Sequence, residues 1–260
     1  MTMATRLRHW ARVGSFAFGF AAFGVLCLTL TFVVFPLMRL GRGSREEHEL
    51  RAQRVVYQQF QLYLRILRAL DIAEVSVSGE ERLREPGAHL LVANHPTLID
   101  VIVLGSLMPQ LDCVVKRAAW SNPFMLGVIK ATGYLANDDG VELIEEGAAR
   151  LRRGRSLLLF PEGTRSPLDG LHPFQRGAAH LALRTGLPIL PVHIHCEPRG
   201  VMKGQKWWDV PPGRMHFSVE ICKPLHAKDL LEPGEPRGRA ARRLTATLRD
   251  FYVNKLHSGV

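Results

Sequence analysis

The sequence is poor in cysteine, with 4 in 260 residues: Cys27, Cys113, Cys196 and Cys222. No two stand in a C-x-x-C spacing, so neither a disulfide framework nor a thiolate zinc site is expected, and a reducing compartment is. Acidic residues are also scarce: 24 Asp and Glu face 34 Lys and Arg, a formal net charge of +10. Such an excess points to an anionic partner, whether nucleic acid, acidic lipid or a phosphorylated small molecule. No nucleic-acid-binding motif accompanies it, which leaves lipid and small-molecule anions. G-x-S-x-G is missing, and with it the nucleophilic serine of an elbow. Repeats and low-complexity tracts are missing too. The 47% of hydrophobic and 22% of charged residues suit a folded chain, long enough for one full domain and an appendage.

What the chain does have is one long apolar run. Residues 13–38 carry no charge and as a helix would measure about 39 Å, more than the roughly 30 Å of bilayer hydrocarbon. A secretory signal has an apolar stretch of only about 7–15 residues, so a retained membrane anchor is expected, either spanning or dipping in and returning. Arg6, Arg8 and Arg12 precede it, and five arginines follow within 39–54. That bias puts the following domain on the cytoplasmic side, as at a bacterial inner membrane. Residues 45–70 read as a second, amphipathic helix. Val56, Phe60, Tyr63, Leu67 and Leu70 share one face, and Arg51, Arg54, Arg65 and Arg68 the other. Such a helix lies in the headgroup zone or packs on the domain behind it. Residues 1–72 are thus expected to form a membrane-anchoring helical pair.

Over 73–260, short apolar runs alternate with helical stretches. Strands are expected at 75–77, 89–93, 112–115, 156–160, 189–194 and 215–221, and helices at 97–107, 121–131, 140–152, 175–185 and 239–256. The alternation predicts an α/β domain with a mixed, mostly parallel sheet flanked by helices.

Two strand ends carry chemistry. In residues 89–100, HLLVANHPTLID, the run 90–93 ends in Asn94-His95-Pro96-Thr97, which puts His95 at a strand's carboxyl end beside a helix start. Asp100 is close enough in sequence to fold back on the imidazole. A carboxylate that fixes the tautomer and stabilises the imidazolium lets the other ring nitrogen take a proton from a hydroxyl. Spacing alone equally allows His95 as a cap and Asp100 as a first-turn acid favoured by the helix dipole. In residues 156–166, SLLLFPEGTRS, Glu162 and Arg165 bracket Gly163-Thr164. Gly163 permits close backbone approach, and Arg165 offers a planar fork for phosphate or carboxylate. Glu162 is read as accepting from a hydroxyl, as holding Arg165, or as half of a structural pair. In KGQKWWDVPPG, residues 203–213, Trp207 and Trp208 suit a lipid interface, the wall of a pocket, or simple packing on the sheet. His193 and His195 share a strand face but lack a third ligand, so no metal site is expected.

Taken in order, these blocks resemble the lysophospholipid acyltransferase family, of the 1-acylglycerol-3-phosphate type. NHPTLID at 94–100 is similar to its N-H-x4-D block, FPEGTRS at 160–166 matches its F-P-E-G-T-R-S block, and LPILPV at 187–192 is similar to a later proline-containing block. Residues 114–134 resemble the region between. The resemblance implies transfer of a fatty acyl group from acyl-coenzyme A or acyl carrier protein to a lipid hydroxyl. His95 would be general base and Asp100 its partner. Glu162, Gly163, Thr164 and Arg165 would shape the acceptor site, with Arg165 on its phosphate; Lys116 or a backbone amide near Gly163 is a candidate for the oxyanion. No metal or redox cofactor is implied. One departure stands out: residues 133–139 read GYLANDD, with Asp139 where the family commonly has an arginine for the acceptor's phosphate. In that stretch the chain looks closer to a subset associated with aryl polyene lipids. A thioesterase or lipase using the same dyad on water is the alternative chemistry.

Overall fold

The computed structural model describes residues 3–257 except 138, 139, 203, 207, 231 and 233. The apolar run folds as α1 (Met3–Thr29), passes through a π-helical stretch (Leu30–Val34) and ends as α2 (Phe35–Arg39). The helix therefore begins earlier than its apolar stretch and takes in Arg6, Arg8 and Arg12. Arg12 is accommodated because its guanidinium donates to the Pro211 carbonyl at 2.9 Å and to the Gly213 carbonyl at 2.5 Å. Helix α3 (Arg45–Ala69) opens with a capping box. The Glu47 amide donates to Ser44 Oγ at 3.2 Å, and the Ser44 amide donates to the Glu47 carboxylate at 2.7 Å. Two orphan amides are thus satisfied where the chain turns back.

Seven strands form one sheet: β1 (Ala73–Ser78), β2 (Leu90–Ala93), β3 (Asp112–Val115), β4 (Leu135–Ala136), β5 (Leu157–Leu159), β6 (Ile189–Glu197) and β7 (Met215–Ile221). Their spatial order is β1-β7-β6-β2-β5-β3-β4. From β6 to β4 all neighbours are parallel; β7 runs antiparallel to β6, and β1 parallel to β7. The sheet is mixed and mostly parallel. Between the strands lie α4 (Asp100–Gly105), α5 (Arg117–Trp120), α6 (Pro123–Thr132), α7 (Gly140–Arg152) and α8 (Gly177–Thr185), and α9 (Arg237–His257) closes the chain.

The central strands β2 and β5 are buried along their whole length, which is why both read as unbroken apolar runs rather than alternating ones. Period-two geometry divides their side chains between two cores. Leu91, Ala93 and Leu158 join Val56, Phe60, Tyr63 and Leu67 of α3 and Phe16 of α1. Leu90, Val92, Leu157 and Leu159 face α7, α8 and α9. The N-terminal helices are thereby continuous with the core on one sheet face. The outer side of α1 and α2 is different: Trp10, Phe18, Val25, Phe32 and Leu37 are exposed. Arg6–Arg39 is the one helix among the described residues that is long and apolar enough to cross a membrane.

A buried polar joint fastens α3 to the sheet. Asp112, at the start of β3, accepts from Gln53 Nε2 at 2.8 Å, Arg150 Nη1 at 2.8 Å, Arg155 Nε at 2.8 Å and Arg155 Nη2 at 2.6 Å. Arg155 also reaches Glu49 at 3.0 Å.

Three elements depart from the sequence pattern. The helix expected from 97 starts at Asp100, because 97–99 form a turn held to the Asp100 carboxylate. The helix expected over 121–131 is α6, and the short α5 before it was not expected: Asn122 Oδ1 caps α6 by accepting from the Phe124 amide, and Pro123 takes its first position. Strand β4 has only two residues and leaves no periodic trace.

Candidate active site

Because β6, β2, β5, β3 and β4 are parallel, their carboxyl ends share one edge of the sheet, where open α/β sheets place ligands. His95 follows β2, the 160–166 segment follows β5, Lys116 follows β3 and the 198–213 segment follows β6. Asn94 sets the first of these exits. Its side chain, 2% exposed, accepts from the Ile194 amide at 2.7 Å and donates to the Ile194 carbonyl at 2.8 Å. The amide thus replaces a backbone rung just where the chain leaves the sheet.

His95 Nδ1 lies 2.8 Å from Asp100 Oδ2. The His95 side chain is 17% exposed and that of Asp100 wholly buried. The same carboxylate accepts from the Thr97 amide at 2.7 Å and from Thr97 Oγ1 at 2.6 Å. Asp100 is therefore fixed by three donors, and only one lies on the imidazole. The ring stacks on Phe160, with centroids 4.3 Å apart and planes 26° apart. With Nδ1 engaged, Nε2 is the nitrogen left for chemistry.

Glu162 is buried, and its carboxylate is committed to the loops. It accepts from Ser166 Oγ at 2.5 Å, the His172 amide at 2.9 Å and the His95 amide at 3.4 Å. Ser166 completes the stitch: its amide donates to the His95 carbonyl at 2.7 Å. The pairing of Glu162 with Arg165 that the turn suggested does not form, because the backbone and Ser166 occupy the carboxylate. Arg165 Nη1 instead donates to the Val201 carbonyl at 2.8 Å. Burial lowers the Arg165 pKa, and the nearby Asp100 charge opposes that shift. At Gly163 the requirement is conformational: φ is +64°, while a Cβ there would meet nothing closer than Asn137 at 3.9 Å. Thr164 is partly buried beside it.

Lys116 is exposed at the N-cap of α5, on this edge but outside the hydrogen-bonded group. Trp208 is exposed, with Lys206 Nζ 5.3 Å from its ring centroid. Trp207 and Asp139 lie outside the described residues. His193, beside Glu220 and Lys255, is held neutral by burial, its pKa down to about 4. The sequence pattern did not single out Asn94, Thr97, Phe160 or Ser166. Three of them are short polar residues at strand exits, the type that bonds local backbone. That was the available signal. An apolar cleft reaches this edge between α1, α3 and the 198–213 segment, lined by Phe16, Phe20, Leu67, Ile99 and Val201.

Comparison with known proteins supplies the class. A sequence profile of the Acyltransferase family matches residues 74–195. The chain is 33% identical over 177 residues to the 1-acyl-sn-glycerol-3-phosphate acyltransferase of Escherichia coli, covering 65% of this chain and 67% of that protein. It is 28% identical over 212 residues to the enzyme of that name from Saccharomyces cerevisiae, covering 77% and 67%. It is 35% identical over 143 residues to the lyso-ornithine lipid O-acyltransferase of Pseudomonas aeruginosa, covering 51% of each. The crystal structure of the 1-acyl-sn-glycerophosphate acyltransferase PlsC from Thermotoga maritima superposes with a TM-score of 0.64 at 21% identity, over 96% of this chain and 97% of that one. The chain belongs to the 1-acylglycerol-3-phosphate acyltransferase-type family, and it is an enzyme that acylates lipids.

Proposed function

We propose that the chain is a membrane-bound O-acyltransferase. It moves a fatty acyl group from acyl-coenzyme A or acyl carrier protein to the hydroxyl of a lysophospholipid such as 1-acylglycerol-3-phosphate. The observation that carries the proposal is the 2.8 Å contact between His95 Nδ1 and the buried Asp100 carboxylate. Asp100 keeps the proton on Nδ1, so Nε2 presents a lone pair. Nε2 accepts the acceptor's hydroxyl proton as its oxygen attacks the thioester carbonyl. The new C–O bond forms, the C–S bond breaks, and the imidazolium returns the proton to the departing thiol. Arg165 has five N–H donors and spends one on Val201, which leaves others for an anionic acceptor. The exposed apolar side of α1 and α2 seats the protein in the bilayer with the site on the cytoplasmic face.

A second acceptor class, a lysolipid without phosphate, is favoured by the likeness to a lyso-ornithine lipid enzyme and by Asp139 in place of an arginine. An acceptor screen separates these readings. Purified protein in detergent receives labelled acyl thioester with lysophosphatidate, with lyso-ornithine lipid, or with no acceptor, and products are read by mass spectrometry. The proposal expects acylated lipid with one acceptor and little free acid without any. Equal release of free acid in every arm would mean hydrolysis instead. If phosphate repulsion sets the preference, Asp139→Arg raises lysophosphatidate use.

A further inference from the structure

We propose a second, non-catalytic site that holds the phosphate of an anionic membrane lipid, in the pocket between α2, the first turns of α3 and the end of α6. The inference rests on the membrane-bound reading above. The pocket measures about 220 Å³. Sites for drug-sized ligands run roughly 300–1,000 Å³, so this one suits a headgroup rather than a whole lipid. Its wall carries Arg39, Arg45, His48 and Lys130 against a single acid, Glu49. Glu49 is already paired, with Arg45 at 3.0 Å and with Arg155 at 3.0 Å. Neither Arg39 nor Lys130 has an acidic partner among the described residues. Arg39, Arg45 and Lys130 are solvent-exposed, so their charged ends are free to turn toward an anion at the mouth of the pocket. His48 Nδ1 is buried there without a hydrogen-bond partner among the described residues. Two guanidinium groups and an ammonium are the donors that phosphate recognition uses.

The rest of the wall is apolar, including Phe35, Met38 and Ala131, as the glycerol end of an acyl chain requires. Leu37 and Leu40 are exposed next to Arg39, so the pocket sits where an apolar helix meets its basic flank, at headgroup depth. It is also remote from the dyad along the sheet. Glu49 bonds Arg155, just before β5 begins, whereas His95 lies where β2 ends, and in parallel strands these are opposite edges.

Native mass spectrometry of the full-length protein in detergent tests the site, with phosphatidylglycerol, diacylglycerol or inorganic phosphate as probe and no acyl donor present. The proposal expects one phosphatidylglycerol retained, no retention of diacylglycerol at equal concentration, and no displacement by millimolar inorganic phosphate. Arg39→Gln with Lys130→Gln weakens retention about 30-fold, taking about 1 kcal/mol for each basic residue near a headgroup. Ala131→Leu, which fills the pocket and leaves every charge in place, also weakens it. Arg54→Gln with Arg65→Gln, on the exposed side of α3, and His95→Ala retain the lipid. Equal retention in all variants, equal loss in the Arg54/Arg65 control, or ready displacement by inorganic phosphate would each overturn it. Because no donor is present, these outcomes stand apart from whether the chain transfers acyl groups.

Discussion

Asp100 is wholly buried and accepts from His95, the Thr97 amide and Thr97 Oγ1. Its orientation toward the imidazole is therefore set by Thr97, a positioning residue that touches no substrate in the proposed reaction. Thr97→Val removes the Oγ1 donor and leaves a buried carboxylate oxygen short of a partner. The expected cost is about 1–3 kcal/mol of stability, read by chemical unfolding in detergent. The turnover number should fall with the Michaelis constant for the donor unchanged, and Thr97→Ser should restore both. The pairing of His95 with Asp100 was one of two arrangements the five-residue spacing allowed, and the family resemblance favoured it. The role of Thr97 was not legible, because a threonine in a turn has many local uses and only the folded backbone selects one. Glu162 and Arg165 show the same limit. Their nearness in sequence suggested a pair, but each found other partners, Ser166 in the same loop and the His172 amide for one and the Val201 carbonyl for the other.

At the level of elements, helix α3 is fastened to the sheet by polar groups as well as by its apolar face. Asp112 neutralises Arg150 and Arg155, which are only 6% and 8% exposed. Asp112→Ala removes the carboxylate that the two buried guanidiniums share, leaving as acidic partners among the described residues only Glu146 for Arg150 and Glu49 and Glu46 for Arg155, and should destabilise the protein by about 3–5 kcal/mol, seen as a lower midpoint of unfolding. Strand β7 could be placed from the sequence to the residue, since it alternates strictly, and the bounds expected for α7 match as well. The boundary of α4 could not, because its first turn is shaped by the Asp100 side chain rather than by periodicity. Strand β4 owes its existence to pairing with β3, a long-range contact that two residues cannot announce.

For the whole molecule, the N-terminal helices do two things at once. Their inner side completes one core of the sheet, and their outer side presents Phe18, 60% exposed, and Phe32, 72% exposed. Apolar periodicity predicted the pair but not the division of its surface, which depends on where α3 and α6 sit. Burial of a phenylalanine in an apolar medium is worth about 1.5–3 kcal/mol. Phe18→Asp with Phe32→Asp should therefore weaken partition into vesicles at least about 100-fold, measured by sedimentation, with the fold retained because neither side chain enters the core. Unchanged binding would place the bilayer on another surface.

In the proposed reaction the chemistry converges on a single nitrogen, His95 Nε2. Single-turnover acyl transfer, with saturating donor and the preferred acceptor, compares wild type with His95→Ala and Asp100→Asn at matched folding. General-base assistance is typically about 10²–10⁴-fold, so His95→Ala should be slower by at least that factor and Asp100→Asn should fall between the two. A His95→Ala enzyme that acylates the lipid at the wild-type rate would contradict the proposal outright.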